Sequence, residues 1–173
     1  MQKHSADPAR ALAFHSLSKR SNLPGLRAGF VAGGAAEIAQ LAQLRAYAGA
    51  PVPLPLQLAA AAAWADETHV VENRALYQRK FSLADKILGN LPGYHSPEAG
   101  FFLWLKVKNG ETTALSLWQQ SGVRVLPGTY LSQNTPNGNP GSEYIRVALV
   151  ADFPELERGL TAIGELLLSE QNG

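Results

Sequence analysis

Between Glu67 and Leu91, apolar side chains recur at Val70, Tyr77, Phe81, Ala84, Leu88 and Leu91, drawing one hydrophobic stripe along a single long helix. At its axial rise such a helix is roughly 35 to 40 Å long, enough to bridge two domains. The chain is thereby divided into a part before the helix and a part after it. Pro92-Gly93 ends the helix, and Pro51-Val52-Pro53-Leu54-Pro55 forms a rigid joint ahead of the alanine-rich helix that leads into it. We place the division between residues 1–65 and residues 66–173.

The first part begins with a short apolar run, Ala11 to His15, which reads as a buried strand. Pro24-Gly25 marks a tight turn, and Gly29 to Gly33 reads as a second strand. Ala35 to Tyr47, with Ile38, Leu41 and Leu44 at helical spacing, follows as a helix. In the second part, Phe101 to Val107, Val123 to Leu126 and Tyr144 to Val150 read as strands. A helix from Thr113 to Ser121 is stopped by Gly122. Asp152 and Glu155 form a capping box ahead of a terminal helix striped by Leu156, Leu160, Ile163 and Leu167. Alternation of this kind predicts an α/β fold, in which ligands collect at strand ends.

One segment carries concentrated chemistry: His15-Ser16-Leu17-Ser18-Lys19, followed by Gly25, Arg27 and Gly29. A lysine after serine on a turn is ordinarily a solvated charge. Here Arg27 follows eight residues later, between two glycines that let backbone approach a ligand. Its planar fork suits phosphate oxygens, and Ser16 and Ser18 add hydroxyl donors. Desolvation and a neighbouring cation would both lower the Lys19 pKa and favour imine chemistry. Such a set suits a phosphorylated aldehyde held covalently. A second candidate is Arg146, in Tyr144-Ile145-Arg146-Val147. On an edge strand it would simply snorkel to solvent. One arginine on an apolar strand also suits bidentate recognition of a carboxylate.

The run Ser16-x-Ser18-Lys19 with Gly25-x-Arg27-x-Gly29 resembles the pyridoxal-phosphate signature of the class I/II aminotransferases, matching at six positions in fixed register. The resemblance implies the fold type I transferase fold, with residues 1–65 as the last part of its large parallel-sheet, cofactor-binding domain. Residues 66–173 would then be the interdomain helix and small α/β domain. It implies that Lys19 carries the cofactor covalently and later shuttles the substrate proton, that Ser16, Ser18 and Arg27 grip the cofactor phosphate, and that Arg146 binds the α-carboxylate of amino-acid and oxo-acid substrates. Pro97 to Phe102 and Gly122 to Tyr130 look like further family landmarks; Phe101 and Tyr130 read as ordinary core or rim aromatics.

Within the family, His15 to Arg27, Val125 to Leu131 and Asn139-Pro140-Gly141 look closest to succinyldiaminopimelate aminotransferases. That branch implies amino transfer between glutamate and an N-succinyl-amino-oxo-pimelate, on the way to diaminopimelate and lysine. Members are longer, with the lysine past the middle of the chain, and form their active sites as homodimers. The expectation is therefore a chain truncated at its N-terminus, with little or no transaminase activity alone. Other readings remain: a non-catalytic remnant or interaction half of a split protein, or a lyase or synthase of the same fold.

Several classes of function are disfavoured. With 15 basic against 14 acidic residues, the net charge of +1 offers no bulk attraction to nucleic acid or an anionic membrane. No apolar run is long enough to span a bilayer, and Met1 to Pro8 lacks the apolar centre of a secretory signal, so a cytoplasmic protein is expected. Without cysteine there are no thiolate metal sites, and His69 with Glu72 lacks a third ligand, so no metal is expected. Arg74, Arg79, Lys80 and Lys86 read as helix surface.

Overall fold

The computed structural model describes residues 11–49 and 51–172. The reading of Met1 to Pro8 lies outside them. The chain forms two compact units, Met1–Arg74 and Ala75–Gly173.

In the first unit, β1 (Leu12–Ser16) runs into a one-turn helix, α1 (Leu17–Arg20), and a 3-10 turn over Pro24–Leu26 leads to β2 (Gly29–Gly33). The strands pair antiparallel in the register Leu12 to Gly33 through Ser16 to Gly29. Two helices follow, α2 (Ala35–Ala48) and α3 (Leu54–Ala65), and α4 (Thr68–Leu88) begins here. The α/β class is as expected, although every ladder among the described residues is antiparallel. The core of this unit is small: Leu17, Ala28 and Ala60, with Leu26, Ala63 and Trp64 packed against them.

The expected burial of β1 is not found. All five of its residues are exposed, Phe14 to 69%. A two-stranded ribbon has two open edges, and among the described residues of this unit Trp64 is the one that reaches its rings, 4.8 Å from Phe30 and 6.4 Å from His15. No residue of α2 is buried either; Leu44 is half exposed.

The second unit holds β3 (Phe102–Lys106), α5 (Gly110–Ser121), the short β4 (Leu126–Pro127), β5 (Tyr144–Ala148) and α6 (Phe153–Asn172). Its sheet has the order β3-β5-β4, so β5 is central. Period-two alternation sends Leu103, Leu105, Ile145 and Val147 to the inner face, where they meet Ala84 and Leu88 of α4 and the α6 stripe. All four α6 stripe residues are buried as the spacing requires, and Asp152 Oδ1 accepts the Glu155 N–H at 3.0 Å. Asn109 caps α5 by accepting from Glu111 and Thr112, and Gly122 closes it with φ +69°.

Lys80 corrects the sequence reading. It is not helix surface: it lies among the buried face of α4 with 4% exposure. Its ammonium donates to the carbonyls of Leu149 at 2.9 Å and Ala151 at 2.6 Å, just past β5. Burial draws its pKa below the usual lysine range, with Asp152 opposing the shift. Periodicity had put Tyr77, Phe81 and Ala84 on this face, and Lys80 sits within their arc.

Two outcomes follow from these contacts. Lys80→Ala leaves two carbonyls without their donor and is expected to cost about 1–3 kcal/mol, read from urea unfolding of the second unit. At the start of α4, Asp66 Oδ2 lies 2.6 Å from His69 Nδ1 and Oδ1 accepts the Thr68 N–H at 2.9 Å. The His69 contact, then the Thr68 amide, pull the Asp66 carboxyl from 3.8 down to about 2. The folded chain thus binds this proton less readily than the unfolded one. The pairing is fully stabilising above pH 3.8 and is lost as pH falls towards 2. An NMR titration of the Thr68 amide should show that inflection, and Asp66→Asn should abolish it.

Candidate active site

Leu17 is the residue around which the lysine segment folds. It has no exposed surface, its N–H donates to the Ala28 carbonyl at 3.2 Å, and its carbonyl accepts from Ser21 at 3.1 Å and Leu23 at 3.2 Å. Burying one leucine fixes both ends of the turn that carries Lys19 and Arg27. Ser16, extended at φ −139°, is the N-cap of α1, with its Oγ accepting the Ser18 N–H at 3.1 Å. The Ser16 hydroxyl proton is left to donate elsewhere.

Lys19 is on the last turn of α1 and exposed, so the described residues do not supply the desolvation expected of it. Its neighbour Arg20 is tied into the unit by several contacts. Arg20 donates to Ser21 Oγ at 3.2 Å and the Ala63 carbonyl at 3.4 Å, pairs with Glu67, and stacks 4.7 Å over the Trp64 ring. Nothing in the local sequence announces this, because Ala63 and Glu67 are more than forty residues away.

Arg27 is held differently. Its backbone is left-handed at φ +49°, a conformation that costs a non-glycine residue on the order of 1 kcal/mol. Its guanidinium is exposed and donates from one nitrogen to the Pro24 carbonyl at 2.9 Å, leaving most of the fork for another acceptor.

The two motif glycines separate by role. A Cβ on Gly29 would lie 2.4 Å from the His15 carbonyl oxygen, so Gly29 serves strand pairing rather than a ligand's approach. Gly25 has nothing within 4 Å of such a Cβ.

Arg146 belongs to the second unit, on β5. The edge-strand reading fails, since β5 is the central strand. Arg146 pairs with Trp104 of β3 on one side and Leu126 of β4 on the other. Its guanidinium carbon lies 4.3 Å from the Phe102 ring centroid, and its Nε is buried without a hydrogen-bond partner among the described residues. A hollow of about 650 Å³ in this unit, against Arg124, Val147 and Arg158, includes neither Arg146 nor Phe102. His69, weighed as a metal ligand, instead faces Asp66.

Residues 2–163 match the family described as aminotransferase class I and II. The chain belongs to that family. Both the family and its fold are pyridoxal-phosphate-dependent. The chain is 38% identical to a 4-dedimethylamino-4-oxo-anhydrotetracycline transaminase of Streptomyces rimosus, over 81% of this chain and 38% of that protein. It is 33% identical to an LL-diaminopimelate aminotransferase of Dehalococcoides mccartyi, over 91% of this chain and 41% of that protein. Among solved structures it resembles an aminotransferase of Neisseria meningitidis with a TM-score of 0.84 and 45% identity, covering 90% of this chain and 40% of that one. An aminotransferase of Helicobacter pylori aligns at 0.82 and 36%, covering 94% and 42%. The chain thus spans about two fifths of the length of these relatives. No helix among the described residues is long and apolar enough to cross a membrane.

The glycines give a direct contrast. Gly29→Ala should part β1 from β2 and speed amide exchange across both strands, because carbonyl and Cβ cannot share 2.4 Å. Gly25→Ala should leave the melting behaviour unchanged, within about 0.5 kcal/mol. Hydrogen exchange and thermal unfolding of the two variants measure both.

Proposed function

We propose that this chain supplies the lysine, the phosphate grip and the carboxylate arginine of a pyridoxal-phosphate-dependent aminotransferase. The observation that carries the reading is the Leu17-pinned turn, which gathers an amine, two hydroxyls and an outward guanidinium within twelve residues. This donor set fits the cofactor: Ser16, Ser18 and Arg27 offer neutral and charged donors for a phosphate dianion, and Lys19 offers the amine for an aldehyde.

When bound, pyridoxal phosphate supplies the aldehyde and the electron-accepting ring that make an amino acid's α-proton removable. The residues of the chain do the rest. Once the substrate amine has taken its place, Lys19 Nζ would be free to take the proton from the substrate α-carbon and later to give it up again, acting as base and then acid. Ser16, Ser18 and Arg27 keep the phosphate end fixed while this happens, so the reacting atoms stay in register. Arg146, through its paired N–H groups, would hold the substrate carboxylate.

For substrates, the reading favours glutamate as amino donor and an N-succinyl-amino-oxo-pimelate as acceptor, within diaminopimelate and lysine synthesis. It is supported by the loop resemblances at Val125 to Leu131 and Asn139 to Gly141, and by the diaminopimelate aminotransferases among the relatives. A cytoplasmic homodimer accompanies it.

Borohydride reduction in the presence of pyridoxal phosphate is expected to fix a pyridoxyl group on the peptide bearing Lys19, located by mass spectrometry. Lys19→Arg should remove that label. Arg27→Met should weaken cofactor affinity by about 1.5–3 kcal/mol, the worth of a charged hydrogen bond, without changing the labelled position. Labelling spread evenly over surface lysines would sink the proposal.

A further inference from the structure

Arg146 has a second feature that its charge does not explain. A guanidinium on a four-bond stem is rotamer-rich, and fixing it costs entropy at the moment a ligand binds. Here the ring of Phe102 lies under it, 4.3 Å from centroid to guanidinium carbon. The two side chains are diagonal neighbours on the outer sheet face, since Phe102 pairs with Ala148 and Trp104 pairs with Arg146.

Phe102 is itself held. Its centroid lies 4.0 Å from that of Phe101, which lies 5.9 Å from Tyr77 on α4. Lys80 Nζ sits 5.4 Å from the Tyr77 ring and donates to the carbonyls of Leu149 and Ala151. The Leu149 N–H donates back to the Phe101 carbonyl at 2.9 Å. The contacts therefore close a circuit: from Arg146 through three aromatic rings to a buried ammonium, and back to the end of the strand that carries Arg146.

The orientation matters to what Arg146 can do. Stacking occupies the π face of the guanidinium and leaves its N–H edges in the plane. Among the described residues the Nε has no hydrogen-bond partner, and it is covered by the fold. The terminal N–H groups are not covered in this way, so they form the edge that an incoming acceptor can reach.

We propose that Phe102 is a positioning residue for Arg146, holding the guanidinium against its ring with the terminal N–H groups set to receive a carboxylate. This rests on the carboxylate role of Arg146 proposed above. Phe102 touches the arginine and acts through it.

The test uses the full chain labelled with 15N-arginine, and 2-oxoglutarate as the carboxylate probe. Phe102→Met keeps the apolar bulk and removes the π face; Phe102→Tyr restores the face; Phe102→Leu serves if the methionine variant does not fold. In the parent chain the δ-methylene protons of Arg146 should be shifted upfield by the ring beneath them, and the Nε–H signal should move on adding the oxo acid. Phe102→Met should abolish the upfield shift and weaken 2-oxoglutarate about three- to thirtyfold. Phe102→Tyr should recover both. Arg146 shifts unchanged in Phe102→Met, or affinity unchanged there while Arg146→Lys loses it, would overturn the positioning role alone. Affinity unchanged in Arg146→Lys itself would overturn the carboxylate reading, and the positioning role with it.

Discussion

The lysine segment depends on the burial of one side chain. Leu17 sits between two serines and just ahead of Lys19-Arg20, and without it Ser16 to Ala28 would be a polar loop with no reason to hold a shape. Its burial against Ala28 and Ala60 brings the loop's two ends together, and three backbone hydrogen bonds converge on it. Everything of chemical interest in the first unit is then a consequence of position along that pinned turn. Ser16 becomes a cap, Lys19 reaches the last turn of α1, and Arg27 is forced left-handed where the turn reverses. Arg20 faces inwards and is consumed by Ala63, Glu67 and Trp64, which leaves Arg27 as the segment's outward guanidinium.

The second unit solves a different problem, which is how to keep an arginine on a central strand. Its inner face is apolar and closed by α4, α5 and α6, so Arg146 can only lie on the outer face. There the flanking positions are aromatic or aliphatic: Phe102, Trp104 and Leu126, with Trp104 stacked on Tyr144 at 5.3 Å. Such a surface shields the guanidinium stem from water while leaving Arg146 half-buried rather than sealed.

Much of this was legible in the sequence. The α4 and α6 stripes, the strand at Tyr144 and the stop at Gly122 follow from periodicity and capping, which are local, and the structure has each of them. The strand after Gly122 shrank to Leu126–Pro127, because pairing is decided by the partner strand and not by apolar content alone. The candidate site residues were legible as a pattern of types. Their states were not: the exposure of β1 and Lys19, the left-handed Arg27 and the Gly29 approach all depend on neighbours distant in sequence. Lys80 is the plainest case. By type it belonged to the surface, and only the two carbonyls beyond β5 make its burial tolerable.

Lys80 and Arg146 together separate a cation whose N–H groups the fold satisfies from one that it leaves partly unsatisfied. Both sit beside aromatic rings within the same unit, and each carries a desolvation cost that the fold must offset. For Lys80 the offset is internal: two carbonyls accept from it, and removing them would serve nothing but instability. For Arg146 the offset is incomplete, since the ring beneath it satisfies a face and not an N–H edge, and among the described residues Nε has no hydrogen-bond partner. The cost of that covered edge falls on the central strand, where the neighbouring ring can hold the guanidinium but cannot accept from it.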